Sequence, residues 1–424
     1  MLSVVQSRSA TKHGRRILPD RVVVLNDASV PRGGATGVAL SLCQTLRDRG
    51  IPVTFVGGDN KTASRNFIAT DHQISVGSQH IMEGHRGTAV VRGIYNWDAA
   101  KAVSDWIERY DTSRTIYHLH GWSKILSPAV FRALRNVRPR VVVHAHDFFL
   151  GCPNGGYFNF QKQKECTLRP LSPACITTNC DRRNYAHKLW RVARHGVRAA
   201  VADLNNFGLV IVVHEAMIDL LEAGGVPRLR QQVLRNTVMP WTKTRIVSED
   251  NRQFFYVGRL ELDKGVLELA EAARSTGIKL VLAGDGALAN HLANAYPEIQ
   301  QLGWCSRTKI EACAKQSRAL IVPSTTRESF GLAALEAAMS GLPVIISKYA
   351  LISEEIEKMG FGVACDPCNQ EDLQSSIQTL AHNQKIVARM SVAAFHGARS
   401  LAPTPDAWTD ELLWLYSKVL HAAP

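Results

Sequence analysis

Residues 323–345 read PSTTRESFGLAALEAAMSGLPVI, a segment in which a loop leads directly into a helix. The apolar run Ala319 to Val322 before it predicts a strand, and the alanine-rich part predicts a helix that begins near Phe330. The run Pro343 to Ile346 predicts the next strand. A strand, a helix and a second strand in this order form the repeating unit of a parallel α/β sheet.

Two carboxylates of this segment, Glu328 and Glu336, lie eight residues apart, one at the helix entrance and one about two turns along. They could reach two parts of one extended ligand, and the free N–H groups at the helix start could hold its phosphate. Taken alone, Glu328 could equally cap the helix and Glu336 could face solvent.

The same alternation of short β-branched runs and amphipathic stretches fills the rest of the chain and restarts after Asp250. It predicts two doubly wound, Rossmann-like α/β domains that face each other across a cleft. We expect five parts, which are a flexible basic tail (1–20), a first domain (21–240), a linker (241–250), a second domain (251–400) and a C-terminal helix (401–424) that packs back toward the first domain. Strands are predicted at 21–25, 51–56, 115–119, 141–145, 209–213, 254–257 and 279–283.

The composition of the 424 residues is that of a globular chain, with 46% hydrophobic and 21% charged residues. No apolar run is long enough to span a membrane, and the first twenty residues lack the apolar core of a signal peptide, so we expect a cytoplasmic protein. The net charge of +13 favours phosphorylated substrates or an anionic membrane surface. No nucleic-acid motif is present, and no nucleic-acid partner is expected.

Three further motifs carry charge or conformational freedom to strand ends, two of them in the second domain and one in the first. Arg259 and Lys264 flank the start of a predicted helix, where two cations make a place for a diphosphate. A lone pair of this kind could also be two solvated charges. Gly284 follows the strand 279–283, and Gly33 and Gly34 follow the first strand, where glycine lets the backbone approach a ligand closely. The dinucleotide fingerprint G-x-G-x-x-G is absent there, which argues against an NAD enzyme.

With these motifs the chain resembles glycosyltransferase family 4, whose members have the GT-B fold. The segment ESFGLAALEAAMSGLPVI matches the family's paired-glutamate motif, and Gly258-Arg259-Leu260 with Lys264-Gly265 matches its diphosphate motif. The resemblance implies a retaining transferase that uses a nucleotide sugar without a cofactor. It implies that Glu328 contacts the donor sugar and that Glu336 binds the ribose hydroxyls. It also implies that Arg259 and Lys264 bind the pyrophosphate. The remaining donor contacts that it implies are Gly33, Gly34, Gly284, Ser329, Phe330, Gly331 and Leu332.

Two pairs of histidines end neighbouring strands of the first domain, in His118-Leu119-His120 and in His144-Ala145-His146-Asp147. At the carboxyl ends of parallel strands such side chains point toward the crevice. The resemblance implies a functional histidine near the transferred sugar and favours His146, with His120 as the second choice. His120 and Asp147 are candidates on the acceptor side. A histidine at a strand end could also be purely structural.

Cys152, Cys166, Cys175 and Cys180 lie within 29 residues, in a region outside the family's core motif. They could bind a structural metal ion, although the spacing is not that of paired C-x-x-C ligands, and they could equally be inert or redox-sensitive thiols. No acidic D-x-D motif accompanies the nucleotide site, so we expect no catalytic metal.

The stretch from Arg182 to Arg198 is rich in arginine, lysine and histidine, with Leu189 and Trp190 interleaved. It predicts a surface amphipathic helix that either faces solvent or docks to anionic lipid or a lipid-linked acceptor.

The expected reaction is transfer of a hexose from a UDP- or GDP-sugar to a glycan or lipid-linked saccharide, in surface polysaccharide biosynthesis. The alternatives are a GT-B sugar-nucleotide epimerase and a non-catalytic carbohydrate-binding relative. The expected location is the cytoplasm, with a peripheral contact at the inner membrane surface.

Overall fold

The structure is a computed structural model that describes residues 16–30, 33–59, 70–78 and 86–423. The predicted tail lies outside this range up to residue 15. Ile17, in contrast, is held by a hydrogen bond from its backbone nitrogen to Ser417 Oγ at 3.0 Å. Residues 16–20 therefore belong with the folded first half of the chain.

The first sheet has seven parallel strands in the order β3-β2-β1-β4-β5-β8-β9. The pair β6 and β7 forms a separate antiparallel ribbon after β5. The strands are β1 (Arg21–Asn26), β2 (Val53–Gly57), β3 (His72–Ser75), β4 (Thr115–Leu119), β5 (Val141–Ala145), β6 (Phe158–Asn159), β7 (Lys164–Glu165), β8 (Leu209–Val212) and β9 (Gln231–Val233). The helices of this half are α1 (Gly34–Asp48), α2 (Arg86–Ile94), α3 (Trp97–Tyr110), α4 (Ala129–Ala133), α5 (Pro173–Thr177), α6 (Tyr185–Val201) and α7 (Met217–Ala223).

The second sheet has six parallel strands in the order β12-β11-β10-β13-β14-β15. They are β10 (Gln253–Val257), β11 (Lys279–Ala283), β12 (Gln300–Gln301), β13 (Ser317–Val322), β14 (Val344–Ser347) and β15 (Gly362–Cys365). Its helices are α8 (Val266–Thr276), α9 (Ala289–Ala295), α10 (Arg307–Lys315), α11 (Leu332–Met339), α12 (Ser353–Lys358), α13 (Gln370–His382), α14 (Gln384–Gly397) and α15 (Pro405–Ala422). The two parallel, doubly wound sheets confirm the predicted fold class.

The chain crosses between the two halves twice. Residues 241–250, the predicted linker, pack on the second half, where Trp241 is buried and its backbone nitrogen donates to Ser340 Oγ at 2.9 Å. Helix α15 returns to the first sheet, where its buried side chains Trp408 and Leu412 join the core of β1 and α1. Arg49 at the end of α1 bridges to Asp410 of α15 at 2.6 Å.

Helix α6 covers the basic stretch, and here the prediction of a surface helix is wrong for four side chains. Those of Lys188, Arg194, His195 and Arg198 are buried. Arg194 lies between aromatic rings, with its guanidinium 5.5 Å from the ring centre of Trp122, and it donates to the carbonyl of Ser123. Periodicity showed that α6 has two faces but not that the cationic face is the inner one, because its partners come from distant segments.

The buried imidazole of His195 accepts a hydrogen bond from the guanidinium of Arg198, with 2.7 Å between His195 Nε2 and Arg198 Nη2. Burial, and after it the charges of Arg198, Arg194 and Lys188, lower the pKa of His195 to about 3. The folded protein therefore keeps this imidazole neutral where the unfolded chain, at a pKa of about 6.5, takes up a proton.

Because the unfolded state binds more protons between about pH 6.5 and pH 3, the free energy of unfolding falls as the pH falls through this window. We predict a contribution from His195 of up to about 1.4 kcal/mol per pH unit. Denaturant unfolding of the wild type and of His195→Gln from pH 8 to pH 4.5 measures it. The variant should lose stability less steeply than the wild type, whereas His187→Gln, on the more exposed turn of α6, should match the wild type. Equal slopes for all three proteins would contradict the prediction.

Candidate active site

The second sheet places its site at the point where the strand order reverses. From β10 the chain runs outward to β11 and β12, and then returns to β13 on the other side of β10. The loops after β10 and β13 diverge there and leave a crevice outside the carboxyl ends of the strands. Arg259 and Lys264 follow β10, and Glu328 and Glu336 follow β13. The topology alone thus brings the predicted cations and carboxylates to one edge.

Lys264 and Glu328 meet as an ion pair, with Nζ 3.2 Å from Oε2. Ser324 donates a second hydrogen bond to the same oxygen at 2.6 Å. Burial opposes ionisation of Glu328, but the charge of Lys264 and the hydrogen bond from Ser324 outweigh it and hold the pKa of this carboxyl below its ordinary value. Glu328 is therefore charged at neutral pH and cannot act there as a proton donor.

The loops that carry this pair touch at Gly265, which has φ 66° and caps α8. A Cβ atom at Gly265 would lie 1.8 Å from the carbonyl oxygen of Pro323. Any larger residue would push the two loops apart and separate Lys264 from Glu328. The glycine of the Lys-Gly pair is thus required by the geometry of the ion pair.

Arg259 lies beside two carboxylates, those of Glu261 and Asp263. The guanidinium contacts Glu261 closely and lies 3.7 Å from Asp263 Oδ2. Asp263 also accepts from Arg182 of the first half at 2.9 Å. Burial raises the pKa of Asp263, but Arg259, Lys264 and Arg182 together bring it below its ordinary value. Cations and carboxylates therefore alternate in this group, and the cationic side chains remain partly exposed to solvent.

Glu336 lies on α11, where its side chain is half-buried rather than fully exposed. Its Oε1 lies 3.3 Å from a guanidinium nitrogen of Arg307. Arg307 in turn donates to the carbonyl oxygens of Met239 and Pro240 at 2.8 and 2.6 Å. Burial raises the pKa of Glu336, and Arg307 offsets part of that effect.

The glycines predicted at the site mark close approaches of backbone. Gly284 follows β11 with φ 152°, and a Cβ there would lie 1.7 Å from the carbonyl oxygen of Gly258. Gly34 lies directly against α11, since its Cβ would come within 2.7 Å of Leu332 Cδ1. Gly33 has φ 143° and is the N-cap of α1. The glycine loop of the first half therefore reaches the start of α11 across the cleft.

The start of α11 is joined to the first half by polar and apolar contacts. Ser329 Oγ donates to the carbonyl oxygen of His146 at 2.5 Å. Phe330 is buried, and Leu332 packs against the cores of both halves. Gly331, with φ 74°, is the N-cap that lets the chain turn into the helix.

The two candidate histidines are one hydrogen-bonded pair, with His120 Nδ1 2.9 Å from His146 Nε2. His120 is buried and His146 is half-buried beside Ser329. Burial lowers the pKa of His146 to about 3, so its imidazole is neutral at pH 7. Asp147 is exposed and accepts from the backbone nitrogen of Phe149 at 3.0 Å. The two candidates for the functional histidine, His146 and His120, thus belong to one hydrogen-bonded pair.

Known proteins resemble this chain over nearly its whole length. The family described as "Glycosyl transferases group 1" matches residues 242–396, and the family described as "Glycosyl transferase 4-like domain" matches residues 33–237. This chain belongs to the group 1 glycosyltransferases.

Two solved structures show that this group 1 glycosyltransferase has the GT-B fold. HepE from Anabaena in complex with UDP-glucose is 17% identical, with a TM-score of 0.65 over 92% of this chain and 98% of that chain. Sucrose-phosphate synthase from Thermosynechococcus elongatus is 16% identical, with a TM-score of 0.70 over 95% of this chain and all of that chain. Among curated proteins, the glycogen synthase of Mycobacterium tuberculosis is 30% identical over 153 residues. That match spans 34% of this glycosyltransferase and 37% of the relative.

Sequence reasoning about this glycosyltransferase missed three residues that contact the site. Arg307 reaches Glu336 from α10, Ser324 reaches Glu328 from the preceding loop, and Arg182 reaches Asp263 from the first half. Only Ser324 carried a signal, since a hydroxyl residue four positions before a functional glutamate could have been noticed. Arg307 and Arg182 are far away in sequence and become neighbours only through the fold.

The four-cysteine loop gathers around a lysine in this glycosyltransferase. Lys188 Nζ lies 3.5 Å from Cys175 Sγ and 3.2 Å from Cys180 Sγ. Burial raises the pKa of Cys152 and also that of Cys166, which is the less buried of the two. An ammonium group thus already lies between two of the proposed ligands. The structural metal ion stays a prediction here, and a cation that already lies against two of its proposed ligands favours the alternative of inert or redox-sensitive thiols.

Proposed function

We propose that this chain is a retaining glycosyltransferase that transfers a hexose from a UDP- or GDP-sugar to a hydroxyl group of a glycan or lipid-linked saccharide. The observation that carries the proposal is the Lys264–Glu328 pair beside Arg259, at the sheet edge where strand order reverses. Solvated surface charges would not be held in this way by a buried serine and by a glycine with no room for a side chain. The wider role, in surface polysaccharide synthesis, follows from the same class of acceptor.

In this proposal the donor diphosphate lies between Arg259, Lys264 and the start of α11. The helix start supplies free N–H groups and the positive end of the helix dipole. The close approach of Gly284 to Gly258 keeps side chains out of the space below the nucleotide. When the glycosidic bond breaks, negative charge grows on the diphosphate, and the two cations stabilise it.

The two carboxylates, Glu328 and Glu336, bind the remaining parts of the donor. Glu328, ionised and held by Lys264, accepts hydrogen bonds from the sugar hydroxyls. Glu336 lies further along α11 and accepts from the ribose hydroxyls, with Arg307 orienting it. The acceptor hydroxyl approaches from the first domain, beside His146 and Asp147, on the face of the sugar that the diphosphate leaves. Neutral His146 can then accept or donate one hydrogen bond to the sugar.

A donor screen tests the proposal. UDP-glucose is the first donor to try, because HepE, the structural neighbour, was solved with UDP-glucose. Release of UDP or GDP would be measured from a panel of sugar nucleotides, with and without saccharide acceptors. Acceptor-dependent release with transfer supports the transferase. Donor hydrolysis without transfer would favour the epimerase, and donor binding without turnover would favour a carbohydrate-binding relative.

Arg259→Ala should lower kcat by about a hundredfold or more, because it removes a cation that acts mainly on the charge of the transition state. Arg259→Lys should rescue only part of the loss, since an ammonium lacks the bidentate fork. The matched control is Arg274→Ala, which removes an arginine paired with Glu298 near the end of α8, and it should keep wild-type kinetics. A folded Arg259→Ala protein with near-normal turnover would place the diphosphate elsewhere.

Glu336→Ala should weaken donor binding about tenfold or more, because hydrogen bonds to a charged group contribute about 1.5 to 3 kcal/mol. Isothermal titration with UDP measures the ribose contribution without the sugar. Glu328→Ala should bind UDP nearly as well as the wild type but turn over poorly, because its partner is the sugar. Glu354→Ala, on the exposed face of α12, serves as control. If Glu336→Ala and Glu354→Ala bind UDP equally, the ribose assignment is wrong.

We also propose the peripheral contact with the inner membrane surface, but through a different face. Among the described residues, no helix combines the length and the apolar character that a membrane crossing needs. The basic residues of α6 are largely buried, but Leu189 of α6 and Val90 and Val91 of α2 are exposed, on two helices that contact each other. Trp190 fixes the two helices together by donating to the carbonyl oxygen of Val90 at 3.0 Å.

Val91→Asp should reduce co-sedimentation with anionic liposomes, because it places a negative charge in this apolar face. Val392→Asp, a change on α14 of the second domain at a similar exposure, should bind liposomes like the wild type. Binding of the wild type should fall with added salt. If the wild type does not sediment with anionic vesicles, or if both variants bind equally well, the membrane contact through this face is excluded.

A further inference from the structure

Four histidines form an array on one face of the first sheet, at the ends of β4 and β5. His118 pairs in register with Val142, so His118 and His120 share a face with His144 and His146. The ring centres of His118 and His120 lie 4.2 Å apart, and those of His120 and His144 lie 4.9 Å apart. Of the four, His146 is half-buried and the other three are buried, with His118 against Tyr416 and His144 against Trp408 of α15.

The three buried histidines have ring nitrogens without a hydrogen-bond partner in the described part of the chain. These are Nε2 of His118, Nε2 of His120 and both nitrogens of His144. Buried polar atoms are nearly always paired, because an unpaired one loses its hydration without replacement. One unpaired buried imidazole could be an exception, but three neighbouring ones require a common explanation.

One ring nitrogen from each of His118, His120 and His144 lies within 4.8 Å of the other two. Imidazole nitrogens bind Zn²⁺ at about 2.0–2.1 Å, which places them roughly 3.4 Å apart in a tetrahedral site. An ion requires the nitrogens to be drawn together and the parallel rings of His118 and His144 to turn toward one another, and both changes are rotations about the last side-chain torsion, which is soft in histidine. The three nitrogens are therefore close to the arrangement that an ion would complete.

The other nitrogen of two of these rings is already fixed. His118 Nδ1 lies 2.6 Å from the hydroxyl of Tyr416, and His120 Nδ1 lies 2.9 Å from His146 Nε2. Histidines that bind metals commonly donate their second N–H to such a partner, which selects the tautomer and orients the ring. With Nδ1 engaged, the unpaired Nε2 is the nitrogen that each of these two rings has left for an ion.

We propose that His118, His120 and His144 bind one late first-row divalent cation of the Zn²⁺ class. Three neutral imidazoles suit such a cation rather than Mg²⁺ or Ca²⁺, which prefer oxygen ligands. The ion ties the ends of β4 and β5 together under α15 and orients His120, which in turn positions His146. Its role is structural, and no step of sugar transfer passes through it.

A second group with metal-ligand chemistry, His214, Glu215 and Glu355, does not carry the same inference. Arg235 lies between its two carboxylates, at 2.6 Å from Glu215 and 2.7 Å from Glu355. A cation already fills that position. The histidine array has no such internal cation, and this difference makes His214 a suitable control.

The test measures metal binding by the full chain without reference to activity. Protein stripped with a chelator is incubated with Zn²⁺ and passed through a desalting column, and its metal content is measured by plasma mass spectrometry. We expect about one ion per wild-type chain. His144→Gln should bind Zn²⁺ about tenfold more weakly or worse. His214→Gln should match the wild type.

Co²⁺ titration of the wild type decides the case even if His144→Gln fails to fold. Visible ligand-field bands without a sulfur charge-transfer band indicate a tetrahedral site of nitrogen ligands and support the proposal. The proposal is overturned if no bands appear. It is equally overturned by a strong sulfur band, which would assign the ion to the cysteine loop, or by wild-type zinc content no higher than that of a folded His144→Gln protein.

Discussion

The contact between the loop after β10 and the loop after β13 is the constraint on which the site depends. It exists because Gly265 adopts a left-handed conformation with its Cα against the carbonyl of Pro323. That approach sets Lys264 next to Glu328, and the buried carboxylate remains ionised only because the ammonium and the Ser324 hydroxyl compensate its desolvation. Without the contact, each charge would turn to solvent, and neither would have a fixed position relative to a donor.

The sequence predicted this part of the molecule well for a local reason. The two sheets follow from short apolar runs at regular intervals, and the right-handed crossovers of parallel sheets then determine the face on which each connecting helix lies. The paired glutamates, the two cations and Gly284 all lie within a few residues of a predicted strand end. In a parallel sheet, residues that follow the carboxyl end of a strand lie at the crevice, so their position could be predicted without knowledge of any long-range contact. These residues could be placed from the sequence because their position along the chain determines their position in space, and their roles stay predictions.

Prediction failed where a side chain depends on partners that are distant in sequence. The basic face of α6 was expected at the surface, because cations usually are. Arg194 is buried because the rings of Trp122 and Phe149 and the carbonyl of Ser123 surround it, and these neighbours lie outside α6; only the ring of Trp190, one turn earlier, belongs to the helix itself. The same holds for Arg307, whose contact with Glu336 spans two helices. The number of histidines at the ends of β4 and β5 was evident from the sequence, but their mutual contact needed the register of the two strands.

The cations of the donor site come from both domains, and this links the charge of the site to closure of the cleft. Asp263 accepts from Arg182 of the first domain while it faces Arg259 of the second. Arg327, in the loop before α11, contacts Glu165 of the first domain. If the cleft opened at these contacts, Asp263 would lose one of its two arginines and would draw Arg259 toward itself, since an unpaired buried carboxylate is costly. In the structure Arg182 and Arg259 share Asp263, and the nearer partner of Arg259 is Glu261. The same arrangement has Ser329 bonded to the carbonyl of His146. The contacts that join the two domains and the contacts that hold the donor-site charges thus involve the same residues, so opening the cleft would disturb both.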